Sequence, residues 1–231
     1  MAALACGAPS DDADTGAPAP FEVEATCARP DGVTTSPQSI GEVVALVNAL
    51  PMPVTLTCVL EVLDRPLSLV AAVSPFSAQP SEDPDSPRLF IMGDALIMTV
   101  VPIGDGSHGL ELAEFTAPGR SLKGEIGFPV DAPIDDAEPY RHVLVGGVNG
   151  CGLCHLEEQL ELQLGDVPAY SSIALAPEPE RIVSPAFVEA YARDCDAEAE
   201  PERCGLLAAV FGHGTVVPGH FAVETPVCLT P

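Results

Sequence analysis

The feature that most constrains this chain is an unbroken succession of β-forming runs between residues 54 and 130. Residues 54–60 and 67–70 are rich in β-branched and aliphatic side chains. Residues 88–92 and 96–100 flank Gly93 and Asp94, which is hairpin turn chemistry. Residues 109–115 and 121–128 continue the series, and the Pro- and acid-rich stretch 74–86 reads as a loop. Strands that follow one another without helices cannot build a doubly wound parallel sheet, because parallel crossovers need helices. The expected class is mainly β with peripheral helices (α+β), with an antiparallel β-sandwich or barrel-like core. Residues 140–145, 160–164, 170–175 and 221–229 supply further strand candidates.

Three helices are expected around this core. Ser36 and Pro37 open the first, near 38–50, where Ile40, Val43, Val44, Val47 and Leu50 recur at helical spacing until Pro51. Ser184 and Pro185 open a second at 185–194, and a third spans 201–211. Cys195 and Cys204 flank the acidic connection between these two, and a disulfide there would staple a C-terminal helical hairpin.

Composition limits what the surface and the core can do. Hydrophobic residues make up 47% of the chain but aromatics only 5%, with no Trp, so the core must be aliphatic. The 34 acids outnumber the 9 bases and leave a formal net charge of −25. That field repels phosphate backbones, which argues against nucleic-acid binding and suits an exported, solubilised surface; it would attract a basic redox partner. No apolar run reaches the roughly 18 residues of a membrane span.

The chain opens with Met1, Ala2, Ala3, Leu4, Ala5 and Cys6, followed by Gly7. This resembles the end of a bacterial lipoprotein signal, which implies lipidation at Cys6 and residence in the periplasm or at the outer membrane. Residues 7–20 consist of Gly, Ala, Pro, Ser, Thr and Asp, a composition expected to form a tether. The organisation expected is a signal remnant and tether over 1–35 and a single β-rich domain over 36–231.

Cys151, Gly152, Leu153, Cys154 and His155 carry the chemistry. Two thiols three positions apart, followed at once by an imidazole, have the spacing of covalent haem attachment. The chain's own residue frequencies give about 0.006 such matches by chance. Glycines 146, 147, 150 and 152 surround the motif and allow close backbone approach. A thioredoxin-type reading lacks the preceding βαβ pattern, and no G-x-S-x-G elbow marks a serine hydrolase.

The five residues resemble c-type cytochromes. The resemblance implies haem c, with Cys151 and Cys154 as thioether sites and His155 as proximal iron ligand. It also implies an electron carrier rather than an enzyme. Small helical cytochromes place a Met ligand after the motif, whereas Met1, Met52, Met92 and Met98 all precede it here. The sixth-ligand candidates are therefore His213, His220, Met98 and Met92, or no residue at all. One β-rich c-type family has a late motif and also ties a Lys to the haem. Lys123, the chain's only lysine, is the one possible counterpart. With Cys6 lipidated and the motif thiols used, Cys27, Cys58, Cys195, Cys204 and Cys228 remain, an odd number; without lipidation six can pair in fifteen ways. The alternative is a non-enzymatic envelope lipoprotein, a binding or structural module whose cysteines are all structural.

Overall fold

The computed structural model describes residues 21–222. Cys6, Cys228, the tether of residues 7–20 and most of the expected strand 221–229 lie outside the described residues.

The first helix, α1, is Ile40–Ala49, and its N-cap is Ser39 rather than Ser36: the Ser39 hydroxyl accepts from the Glu42 N–H. Ser36 instead donates its hydroxyl to Asp64 at 2.7 Å. Residues 54–60, expected as a strand, contribute to a second helix, α2 (Leu56–Val62). Thr55 caps it by accepting from the Cys58 N–H, and Leu56, Cys58, Val59, Leu60 and Val62 are buried. A seven-residue apolar run suits a buried helix as well as a strand, and here the cap and the packing override β-propensity.

A meander follows, made of β1 (Leu67–Ala72), β2 (Arg88–Met92), β3 (Leu96–Val100), β4 (Gly109–Ala117) and β5 (Arg120–Gly127), each antiparallel to the next. Next come α3 (Glu138–His142), the short pair β6 (Leu144–Val145) and β7 (Val148–Asn149), then β8 (Gln159–Leu164) and β9 (Val167–Ile173). Residues 140–145 were expected as a strand, but Pro139 in the first turn, with Glu138 at the start and Arg141 and His142 at the end, favours a helical turn up to His142. The chain closes with β10 (Ile182–Val183), α4 (Pro185–Arg193), α5 (Pro201–Phe211) and β11 (Val216–Pro218).

The result is mainly β: one nine-stranded sheet in the order β10-β1-β2-β3-β4-β5-β9-β8, with β11 pairing parallel to β1. The sheet does not close, so the expected barrel is not formed, and the core is not a sandwich of two large sheets. Helices take the place of a second sheet. Leu69, Leu89, Leu96, Leu110 and Ile126 on one face pack with Leu46, Leu60 and Leu207 from the helices, all 1% exposed or less. No helix among the described residues is long and apolar enough to cross a membrane.

Among the described residues, two disulfides hold the helical layer. Cys195–Cys204 links the end of α4 to α5, as expected, and Cys27–Cys58 ties the incoming chain to α2. The domain therefore starts before residue 36. Glu22 bridges to His213, and the Glu61 carboxylate accepts from the backbone of Thr26 and Cys27.

The opposite face positions the site. Strand alternation turns Arg88, Phe90, Ile97, Thr99, Glu111, Ala113, Lys123 and Glu125 away from the main core. β9 pairs with β5 only over Arg120–Leu122, and α3 packs beside the rest of β5. Pro139 fits against Gly124, where a Cβ would lie 3.0 Å from it, and His142 lies over Gly127, where a Cβ would be 2.6 Å from Nε2.

Candidate haem-attachment site

A cavity of about 400 Å³ opens on this second face, within the usual range for small-molecule and cofactor sites. Its floor is the odd-numbered side of β3, β4 and β5 together with Arg88 and Phe90. Its walls come from the segments around Phe76, Val143 to Val145, Gly150 to His155, and Ala174 to Pro177, with Phe221.

The motif reaches the wall through a tight turn. Gly146 (φ 62°) and Gly147 (φ 86°) both adopt left-handed geometry between β6 and β7, as a two-residue hairpin requires. The Asn149 side chain then accepts from the Cys151 N–H at 3.1 Å and opens a 3₁₀ turn over Gly150–Leu153. The N–H groups of Cys154 and His155 both donate to the Cys151 carbonyl, at 3.2 and 2.9 Å. Cys151, Cys154 and His155 consequently all line the cavity. Gly152 has a structural reason as well: a Cβ there would lie 2.3 Å from the Glu158 carboxyl carbon, and Glu158 is held by Asn149.

Among the described cysteines, Cys151 and Cys154 are the two left unpaired. Burial pushes the Cys151 thiol up to about 11, so it stays protonated. His155 places Nδ1 2.8 Å from the Ile173 carbonyl oxygen. A carbonyl can only accept, so Nδ1 carries the hydrogen and Nε2 keeps its lone pair. Burial, with the nearby Lys123 charge adding to it, pulls the imidazole down to about 4, so it is neutral at ordinary pH. A neutral imidazole whose other nitrogen is fixed by a backbone carbonyl has the form in which histidine ligates metals. The donor set thus fits covalent haem, with two free thiols and one oriented imidazole on a single wall.

The floor carries charges that composition alone does not locate. Arg88 ion-pairs with Glu111, while Arg88 Nε and Glu111 Oε1 are buried with no hydrogen-bond partner among the described residues. Lys123, only 8% exposed, donates from Nζ to the Ser121 hydroxyl at 2.7 Å. Burial lowers its amine to about 8, against the opposing pull of the Glu111 carboxylate. Burial likewise raises the Glu125 carboxyl, helped by Glu111.

The sixth-ligand candidates are not brought to this cavity. Met98 shares the parity of Leu96 and Val100 and packs in the main core, on the other side of the sheet. Met92 lies on the cavity's face of the sheet but outside its lining. His213 bridges to Glu22 beyond α5, and His220 is also outside the lining. His142, which the sequence reading did not single out, does line the cavity. Comparison with protein-family models, curated proteins and solved structures finds no match for this chain.

The His155 geometry gives a pH prediction for protein made without haem. Its folded pKa lies below the unfolded value of 6.5, so the folded state binds fewer protons between about pH 4 and 6.5. The corresponding stability is present above pH 6.5 and is lost as pH falls towards 4. Urea denaturation at pH 7 and at pH 4.5 should lose about 2–3 kcal/mol more in the wild type than in His155→Gln. Equal losses would mean that the ring titrates normally.

Proposed function

We propose that this chain is a β-rich, mono-haem c-type protein that carries single electrons at the cell envelope. The observation supporting this most directly is that both unpaired thiols and a carbonyl-oriented neutral imidazole line one cavity. Cys151 and Cys154 would hold haem through thioethers, and His155 would ligate the iron. Bound there, the iron supplies one-electron chemistry between its ferrous and ferric states. Phe90, Ile97 and Phe115 form an apolar part of the lining that limits water, and the Arg88–Glu111 pair with Lys123 places fixed charge beneath it. Such charges and burial tune a haem's potential. The resemblance to the β-rich family with a lysine tie gains support from Lys123, which lies in the floor of the same cavity.

Export fits the two disulfides, which persist in oxidising compartments. Lipid anchoring at Cys6 is part of the same proposal, in the periplasm or at the outer membrane. Protein produced with haem-maturation machinery should keep its haem after denaturation and give a c-type pyridine haemochrome spectrum. Absence of covalent haem from protein isolated from its native envelope would falsify this reading and leave the non-enzymatic binding lipoprotein. Carbon monoxide binding to the ferrous form tests the sixth position, since an open site moves the function from electron carriage to sensing or peroxidation.

A further inference from the structure

Lys123 is the chain's only lysine, and the sheet buries it without giving it a carboxylate. Among the described residues it takes part in no ion pair, and Glu111, the acid diagonally across β4 and β5, is held by Arg88. Its Nζ donates instead to the neutral Ser121 hydroxyl, and Ser121 is itself fully buried. A buried ammonium needs a charged partner, whereas a hydroxyl suffices for a neutral amine. Burial correspondingly holds the group at about 8, so an appreciable share is neutral at ordinary pH.

The strand registers set what surrounds this amine. Ile97, Ala113 and Lys123 lie directly opposite one another across β3, β4 and β5, so the amine ends an apolar row. Phe90, Thr99, Glu111 and Glu125 form the next row along, and both rows line the cavity. Phe90 meets Phe221 edge-on, with 5.3 Å between ring centroids, which gives the cavity an aromatic side. Glu125 shares the face of Lys123 two residues along β5, and burial keeps its carboxyl protonated to higher pH than usual. Glu111 Oε1 is a buried acceptor with no hydrogen-bond partner among the described residues.

We propose that Lys123 is the covalent anchor for a small apolar aldehyde or ketone, which enters the cavity and condenses with Nζ as an imine. The neutral amine adds to the carbonyl carbon, and one amine proton passes to the oxygen to give a carbinolamine. Glu125 protonates that hydroxyl, water departs, and the nitrogen lone pair closes the C=N bond. The product is an iminium cation beside the Glu125 carboxylate and the Glu111 acceptor; one water is released and nothing is oxidised. The apolar row and the aromatic side receive the body of the ligand, while two carboxyl groups beside the amine disfavour an anionic one. The inference concerns the chain without haem and does not rest on the haem reading, since haem on Cys151 and Cys154 would fill the same cavity.

The test treats the full-length, haem-free chain with benzaldehyde and cyanoborohydride, and locates the reduced adduct by peptide mass spectrometry. One benzyl group on Lys123 is expected. It should form at pH 7 about tenfold or more faster than in the same chain unfolded in urea, because the neutral amine is the nucleophile and the cavity holds the probe beside it. This folded-to-unfolded ratio needs no variant. Benzyl alcohol, which has the ring but no carbonyl, should slow the labelling by occupying the cavity. Lys123→Met should abolish it, with circular dichroism as the folding control. Labelling no faster in the folded chain than in the unfolded one would overturn the proposal. So would protection by benzoate stronger than protection by benzyl alcohol, which would mark an anion site instead. Haem-loaded protein should be shielded from labelling; reaction at the haem-free rate would place haem outside this cavity while still supporting the reactive amine.

Discussion

Replacing both Cys151 and Cys154 with alanine should abolish haem retained after denaturation, while either single replacement should leave one thioether and a shifted haemochrome band. Both thiols lie on the cavity wall, held by one 3₁₀ turn that Asn149 caps, so loss of either side chain leaves the turn itself in place. His155→Ala should keep the covalent link but change the iron's spin and ligation, because no other residue of the motif supplies nitrogen. Gly152→Ala is predicted to lower attachment by displacing Glu158 from its contact with the turn. Mass spectrometry of the haem peptide separates these outcomes. A peptide joined to Lys123 would support the proposed resemblance to the lysine-tied family. Full haem retention by the double-alanine variant would end the thioether assignment.

The second large effect is on stability. Cys27→Ala with Cys58→Ala should cost about 3–4 kcal/mol, the loop-closure value for a sequence separation of 31 residues. The closed loop contains α1 and the cap of α2, so the bond restricts the segment that covers the sheet's main core. Denaturant midpoints measured for the variant and the wild type provide the check. A loss below about 1 kcal/mol would mean that the Glu61 contacts to Thr26 and Cys27 hold that segment by themselves.

Parts of this structure were legible because their causes are local. The β2–β3 hairpin follows from alternating aliphatics around Gly93 and Asp94, and α5 from Pro201 through its apolar run. Haem-type spacing is also local, which is why Cys151, Cys154 and His155 could be singled out together. The run 54–60 was misread because its composition permits both structures, and the deciding Thr55 cap is a single hydroxyl. The cavity floor was not legible. Arg88, Glu111, Lys123 and Glu125 meet only through the registers of β2 to β5, and His142 arrives from outside the sheet. Met98 illustrates the cost of ignoring parity: its alternation with Ile97 and Thr99 places it in the core once the face of Leu96 is known.

The chain's only lysine is buried in the sheet. A lysine-specific protease therefore has a single bond to cut, Lys123–Gly124, and that bond lies within β5, paired along its length to β4. In the folded protein the bond is shielded, so cleavage occurs only when this strand opens. The cut would leave two large fragments, and neither of the two disulfides among the described residues joins them, since each falls wholly within one fragment. Digestion rate is thus a one-site clock for exposure of the cavity floor, and whatever fills the cavity should slow it.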